Sequence, residues 1–592
     1  MSELALDSDR AVITRRIIDC CLREDIRGLL TQGVVRNLPA DLLGLWPKTG
    51  SPHWLHITHL SNQELWLPVH RSTPLQAWSA SSHAWICRQG EQSVLQQSYG
   101  PWLEYLSNGL DADSLALFAA YIEEADCAVQ HQRLCQIAYG ERAATLVGIL
   151  GNPSWAKRLI GIDQLASYLD HPYYPTARAK SGFDQAALER YAPEYAPRFK
   201  LNWLAVPKTA ITVSSPAPKH WPSFIELGLK QNLENSHTLM PVHPLTWPEL
   251  EKYGLPQGSI MAPLSAMEVE PTLSVRTVMC VERPHWHIKL PLLITTLGAR
   301  NLRLIKSSTL YDGYWFQLTL QAISQRDSQL RQRYLHVDEE HGGHVDENRH
   351  LAYIARHYPG ELETATLVPV AALASPLADG RLFIELLLEQ YYSGSLWHWL
   401  EDYLDLLLNV HLRLWLVYGI ALEANQQNAV LVFDTGRPLR LLMKDNDAAR
   451  LWPKRFSAAC PDMADRPAAL HDERIRVDGS QALAEMFCTI TLQLNIVAVL
   501  EAIISAELAP RHDLYQTLRL RLTHCLEQLE REGIECSEAR RFLLESPTLP
   551  VKYLLSAGSL FSKAHSGARD INKFYGYSAA NFLLEGSLCA AD

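Results

Sequence analysis

Apolar and polar positions change period twice along the chain. Val12 to Leu30 repeats apolar residues at helical spacing, with Ile17, Ile18, Cys21 and Leu22 on one side. Trp54 to Pro68 and Ala77 to Cys87 alternate as strands of an antiparallel sheet, and a helix of mixed face follows from Leu115 to Gly140. Beyond Asn152 short apolar runs alternate with prolines and glycines. Leu201 to Val206, Pro271 to Cys280 and His287 to Thr296 read as strands there. From Leu382 helical periodicity takes over, through an apolar helix from Leu396 and further helices over Ser480–Leu508, Arg511–Arg531 and Glu538–Glu545. The pattern predicts an α+β protein in three parts: an accessory α/β domain over 1–150, a domain with an antiparallel sheet over 151–381, and a mainly helical domain over 382–592. Met486 to Leu508 is the most apolar helix, but Gln493, Asn495 and Glu501 interrupt it, so it is expected to be buried and not to span a membrane.

The stretch Tyr418 to Arg450 organises the rest. Two apolar runs, Ala429 to Phe433 and Leu439 to Met443, flank the turn Asp-Thr-Gly-Arg-Pro and predict a β-hairpin. A hairpin brings the residues before its first strand, Glu423, Asn425, Gln427 and Asn428, toward those after its second, Asp445 and Asp447. Carboxylates and amide oxygens converging this way suit Mg²⁺ carried with phosphates; turns also attract polar residues without any ligand.

Two cationic groups precede this stretch. His171-Pro172, Pro175, Arg178 and Lys180 form a loop that prolines make rigid, a fair anion clamp or a solvated loop. Ser274, Arg276 and Thr277 are expected on one strand, with Ser274 and Arg276 on the same face, and Lys289 and Arg303 follow. Buried cations are rare unless paired, so this set faces either solvent or an anion such as a triphosphate or polycarboxylate. His336 to His350, HVDEEHGGHVDENRH, is expected to be a solvated loop and not a zinc site.

Composition narrows the classes. A net charge of −11 and a pI near 6.1 speak against a nucleic-acid binder. The 11 cysteines are scattered with no CxxC pair, as in a protein of reduced core thiols, so the expected location is cytoplasmic. The N-terminus has no apolar signal-peptide core. No GxxxxGK[ST], GxGxxG before a helix, GxSxG or HExxH occurs, so an ATP enzyme here would rely on strand-borne cations and carboxylate-held magnesium.

His171-Pro172-Tyr173-Tyr174-Pro175 with the basic pair Arg178 and Lys180 resembles the HPxHPxxKxR-type loop of siderophore synthetases. PTLSVRT resembles their SxRT strand, and Lys289 with Arg303, MPVHPL, LEANQQN and KDND have counterparts in the same order. From about residue 150 to the C-terminus the chain resembles the NRPS-independent siderophore (NIS) synthetase family, aerobactin-synthetase type. That resemblance implies a hand-shaped architecture with an N-terminal thumb, a β-rich fingers domain and a mainly helical palm. It implies an AMP-forming ligase: ATP activates citrate or a related acid as an acyl adenylate, pyrophosphate leaves, and an amine or hydroxyl captures the acyl group in siderophore biosynthesis for iron acquisition. ATP and Mg²⁺ are the implied cofactors, and a homodimer without nucleic-acid or membrane partners the implied assembly. Carried over by position, Ser274, Arg276, Thr277, Lys289 and Arg303 hold phosphates and carboxylates. His171 and Lys180 close over the adenylate, Glu423 and Asp445 hold Mg²⁺, and Gln427 and Asn428 lie beside them. His171, Arg276, Arg303 and Asn425 are the implied catalytic set.

Four positions depart from the pattern: Tyr174 replaces the second His, Arg178 and Lys180 are reversed, Asn425 replaces a His, and Lys444 replaces an Arg. Arg300 competes with Arg303 for the same register. Asn425 does not titrate, so substrate geometry or nucleophile activation is expected to differ. Two other classes use the same residues: a phosphotransferase that releases ADP, and a polycarboxylate-binding protein that consumes no ATP.

Overall fold

A computed structural model describes residues 3–46, 53–72, 74–562, 564 and 574–584. The first helix, Glu3–Arg23, packs with the 36-residue helix Ala112–Val147 against a six-stranded antiparallel sheet drawn from residues 34–96. Ile17, Ile18, Leu65, Leu67, Trp85 and Phe118 close one core between them. The expected run Trp54 to Pro68 is two strands, His53–Ile57 and Glu64–Arg71, because the chain bends back over residues 58–63.

A nine-stranded antiparallel sheet occupies the middle of the chain. Its centre runs Phe199–Pro207, Ala266–Pro271, Thr277–Cys280, Trp286–Lys289, Asn348–His357 and Asp338–Val345 in spatial order. The last two correct the reading of HVDEEHGGHVDENRH: it is not a solvated loop but a buried hairpin. Gly342 and Gly343 permit it, since a Cβ on the first would lie 2.8 Å from Leu310 Cδ2 and on the second 2.7 Å from the Tyr353 ring. A second correction concerns Ser274. Residues 273–276 are a turn between two strands, not a strand, and Val275 sits at φ 65, where a β-branched residue is strained. Ser274 and Arg276 therefore do not share a strand face. Pairing of the next strand also stops early, at Lys289 and not Thr296, because Pro291 cannot donate to a ladder.

The predicted hairpin forms as expected, Ala429–Phe433 against Arg440–Met443, with Ala429 opposite Met443. It pairs on one side with Thr366–Pro369 and on the other, in parallel, with Tyr334–His336, so residues before and after 381 share a sheet. Helices Leu396–Leu416, Ser480–Ser505 and Arg511–Arg531 pack behind it around the largest apolar cluster. Ser480–Ser505 is long and apolar enough to cross a membrane, but 78% of its most apolar window is buried inside the protein. Its centre, Phe487–Val497, is wound as a π-helix, a form usually confined to single turns. The polar interruptions sit there for a reason: Asn495 donates to Ala424 O at 2.9 Å and accepts from Tyr403 at 2.7 Å, and Gln493 donates to Pro550 O at 2.7 Å.

Candidate active site

Where the sheet, the hairpin and the helix Ser307–Arg326 meet, a cavity of about 290 Å³ opens. Eight Arg and Lys side chains line it against four carboxylates, in a chain whose net charge is −11. Arg276, Lys289 and Arg303 are three of the cations, and Glu423 and Asp447 two of the acids. Burial and the charge of neighbouring Arg303 push the Arg276 guanidinium below its ordinary range; burial does the same to Arg303, against the pull of Asp445 and Glu423. Two guanidiniums that destabilise each other in one wall are relieved by a bound anion. Arg276 is aimed by donating to Leu304 O at 2.9 Å.

The turn that carries Arg276 is tied down from two directions. Thr277 N donates to Ser274 Oγ at 3.1 Å, so that hydroxyl shapes the turn, and Thr277 is itself buried opposite Lys289. Leu273 N donates to the carboxylate of Asp163, on helix Trp155–Ala166. The other oxygen of Asp163 lies 3.6 Å from Lys444 Nζ, at the end of the hairpin. Lys444 thus turns away from the cavity and locks the hairpin to the Arg276 turn.

Asp445, the expected magnesium ligand, is already engaged. It sits at φ 67 and pairs with Lys289 Nζ and, at 2.7 Å, with Arg356 Nη2. Burial would raise its pKa, but Arg356 and Lys289 outweigh burial and hold it well below the usual carboxylate range. Glu339 fixes the geometry: it pairs with Arg356 and accepts from the backbone N–H of Asp445 at 3.3 Å and of Asn446 at 3.4 Å. Asp447 is the residue that faces the cavity with Glu423. Burial pushes its carboxyl up to about 7, and the Asp445 charge adds to this against the pull of Lys289 at 3.8 Å. Glu423 and Asp447 are thus acids of this stretch that line the cavity and could hold a divalent cation there, while Asp445 is paired with Lys289 and Arg356. Among the described residues no three His, Cys, Asp or Glu side chains are grouped as a metal site, so the remaining ligands would come from phosphates and water.

Asn425 accepts at its side-chain oxygen from Gln427 N and Asn428 N, both at 3.0 Å, and so closes the loop as an Asx turn. Only its NH₂ remains to meet a substrate. Asn428 is buried and donates to Glu423 O at 3.1 Å, which makes it a support for Glu423. Asn425, Gln427 and Asn428 lie outside the lining of the cavity.

The proline loop is built differently from expectation. Lys180 pairs with buried Glu194, and Arg178 binds Asp170 at 2.8 Å and Glu194 at 3.1 Å. Both charges are spent inside the loop, so the structure does not bring Lys180 to the cavity. Tyr174 is fully buried and bonds Glu124 at 2.7 Å and Ser559 at 2.9 Å. His171 Nδ1 accepts from Tyr173 N at 3.2 Å and Tyr174 N at 3.0 Å, which leaves the ring proton on Nε2. Burial, with Lys552, Arg16 and Arg23 nearby, pushes its pKa down to about 3. His171 is a neutral Nε2–H donor at physiological pH.

Asp163, Glu339 and Arg356 escaped the sequence reading of the site. Asp447 carried a local signal, through its place in KDND, whereas these three each hold a partner more than 80 residues away: Asp163 on Leu273, and Glu339 and Arg356 on Asp445.

Residues 158–375 match the IucA / IucC family, and residues 397–565 match a family described as ferric iron reductase FhuF-like transporter. Staphyloferrin B synthase of Staphylococcus aureus is 22% identical over 93% of this chain and 94% of its own length. The citryl-spermidine/3,4-dihydroxybenzoyl-citryl-spermidine:spermidine ligase of Bacillus anthracis is 28% identical over about half of each chain. Among solved structures, the petrobactin biosynthesis protein AsbB of Bacillus anthracis superposes with a TM-score of 0.74 at 18% identity, covering 98% of this chain and 96% of that one. ATP-bound aerobactin synthetase IucA of Klebsiella pneumoniae superposes with a TM-score of 0.69 at 17% identity, covering 97% and 99%. These likenesses extend the shared fold to the N-terminal domain, which neither family match reaches.

Proposed function

The chain belongs to the IucA / IucC family, and on that premise we propose that it is an ATP-dependent ligase of siderophore biosynthesis. It adenylates citrate or a related polycarboxylate and joins it to an amine or hydroxyl, releasing AMP and pyrophosphate. The observation that carries this reading is the wall of Arg276, Lys289 and Arg303 facing Glu423 and Asp447 across one cavity. Polyanions fit that arrangement. The names of the relatives, which include a citryl ligase and an ATP-bound synthetase, support the choice of acid and nucleotide.

The chemistry asks little covalent work of the protein. A substrate carboxylate attacks the α-phosphorus of ATP, the bond to pyrophosphate breaks, and charge builds on the phosphoryl oxygens. Arg276 and Arg303 are held so that this charge meets fixed cations, and fixed donors need no reorganisation at the moment of reaction. Lys289, now paired with Asp445, adds a third positive charge at the same wall. Mg²⁺, when bound by Glu423 and Asp447, neutralises phosphate charge. His171 can donate from Nε2 but carries no charge, and Asn425 can donate from its NH₂, so neither removes a proton. The nucleophile is deprotonated by another group or by solvent. A site that consumes ATP belongs in the cytoplasm, and the reading includes a homodimer.

The FhuF-like match falls on residues 397–565, the mainly helical part of the chain, and is read as a shared scaffold. The test is pyrophosphate release with citrate, 2-oxoglutarate, succinate and citryl amides, each against a panel of amines. AMP with pyrophosphate is expected for at least one acid. ADP with phosphate would make it a phosphotransferase, and acid binding without nucleotide turnover a binding protein.

A further inference from the structure

The first helix, Glu3–Arg23, carries Arg16 two turns before its end and Arg23 as its last residue, and Glu24 follows directly in the turn beyond it. All three reach other parts of the chain. Arg16 donates to the carbonyls of His171 at 2.7 Å and Tyr174 at 2.8 Å, and Arg23 donates to that of Tyr173 at 2.6 Å. Glu24, only 4% exposed, turns toward the C-terminal segment. Its Oε1 accepts from Leu555 N at 2.8 Å, and its Oε2 accepts from Ser556 N at 2.8 Å and Ser556 Oγ at 2.6 Å.

Those N–H groups open the turn Ser556–Leu560. Glu24 therefore does for this turn what an N-cap side chain does for a helix, satisfying its first donors. The carbonyls at the far side of the turn have a use as well: Arg300 Nη1 donates to Phe561 O at 2.9 Å and Ala557 O at 3.4 Å. Arg300 lines the cavity. Gly298 lets the two segments touch, for at φ +114 a Cβ there would lie 3.1 Å from Gly558 O.

We propose that Glu24 is a positioning residue for the cavity: by capping the 556–560 turn it fixes the two carbonyls that hold Arg300, and so gives the N-terminal domain a part in binding the anionic substrates. The role in substrate binding rests on the function proposed above; the linkage from Glu24 to Arg300 does not. Contiguity alone does not establish coupling, so the test measures it.

Glu24→Gln keeps the shape but sets an NH₂ against a backbone N–H. In ligand-free, full-length protein, hydrogen exchange should quicken at both 555–561 and 297–303 and stay unchanged at 199–207. In turnover, KM for ATP or the acid should rise about tenfold with kcat nearly constant, the size of one charged hydrogen bond. In an Arg300→Ala background the same substitution should add nothing, because the two act as one unit. Faster exchange at 555–561 with 297–303 unchanged overturns the proposal, and so does an additive effect in the double variant. If Glu24→Gln does not fold, Ser556→Ala removes one of the same hydrogen bonds and takes its place. A wild-type protein that turns over no acid would sink the functional reading, while the exchange experiment would still decide the linkage.

Discussion

Replacing Asp445 and Asp447 by asparagine, one at a time, should produce two different failures. Asp445 compensates two buried cations, Lys289 and Arg356, each with 3% of its side chain exposed. Removing one partner of a buried pair costs about 3–5 kcal/mol, because the remaining charge stays desolvated. With 26% of the Asp445 side chain still accessible, the lower end applies, ~3 kcal/mol. For a urea m-value of about 3 kcal/mol/M the midpoint of unfolding should fall by about 1 M. Asp447 is different. Burial already holds its carboxyl near neutrality, and Lys289 stands 3.8 Å away. Asp447→Asn should shift stability by less than about 1 kcal/mol, yet lower pyrophosphate release at least about a hundredfold. The assays are urea unfolding followed by circular dichroism, and pyrophosphate release titrated with Mg²⁺. An Asp447→Asn protein with wild-type rate and wild-type Mg²⁺ dependence would refute the ligand assignment. An Asp445→Asn protein with an unmoved midpoint would refute the structural one.

Arg276→Ala should cost about 10²–10³ in rate, and Arg276→Lys should recover little, since a point charge does not replace the fork; retention of half the activity would make that wall a solvated surface. Asn425→Asp keeps the oxygen that closes the loop but loses both amide donors, so KM for the acid should rise while the pH profile of kcat stays in place; an unchanged KM with a displaced optimum would assign position 425 to proton transfer. His243 and His411 are buried, and burial pushes both down to about 3. Unfolding lets them bind protons below about 6.5, so stability should be lost as pH falls from there toward about 3, by ~1.4 kcal/mol per pH unit for each. Urea unfolding at pH 7 and pH 5 measures this, and a His411→Gln variant with the wild-type pH slope would exclude that residue.

What the sequence disclosed followed the range of the forces involved. The hairpin around Gly436 was legible because turn chemistry is local, and with it came Glu423, Asp445 and Asp447. The helix Arg511–Arg531 was legible from period alone. The 273–276 turn was not: Ser-Val-Arg-Thr alternates like a strand, yet Val275 takes a left-handed backbone in a turn whose Leu273 N is captured by Asp163, more than 100 residues earlier. HVDEEHGGHVDENRH misled for a related reason. Its polarity resembles that of a solvated loop, but Glu339 finds Arg356, and Asp338 accepts from Gln317 at 2.8 Å, so the polar groups are satisfied inside. Lys180 shows the converse limit. Its charge could be counted from the sequence, but its partner Glu194 could not be assigned without the fold.

The distance between Glu24 and the backbone it caps has a consequence for how the protein comes into being. The partners are 531 residues apart, and at roughly 5–20 residues per second of synthesis about 30–100 s separate their appearance. For that interval Glu24 has the Cys20 thiol of its own domain as a donor, at 3.4 Å, and the acceptor capacity that Leu555 and Ser556 will use is left to water. The face that Leu555, Leu560 and Phe561 will cover is bare for the same time. The cavity is therefore among the last features to form, and a ribosome-bound chain presents its oldest segment as an unfinished surface until its newest one arrives.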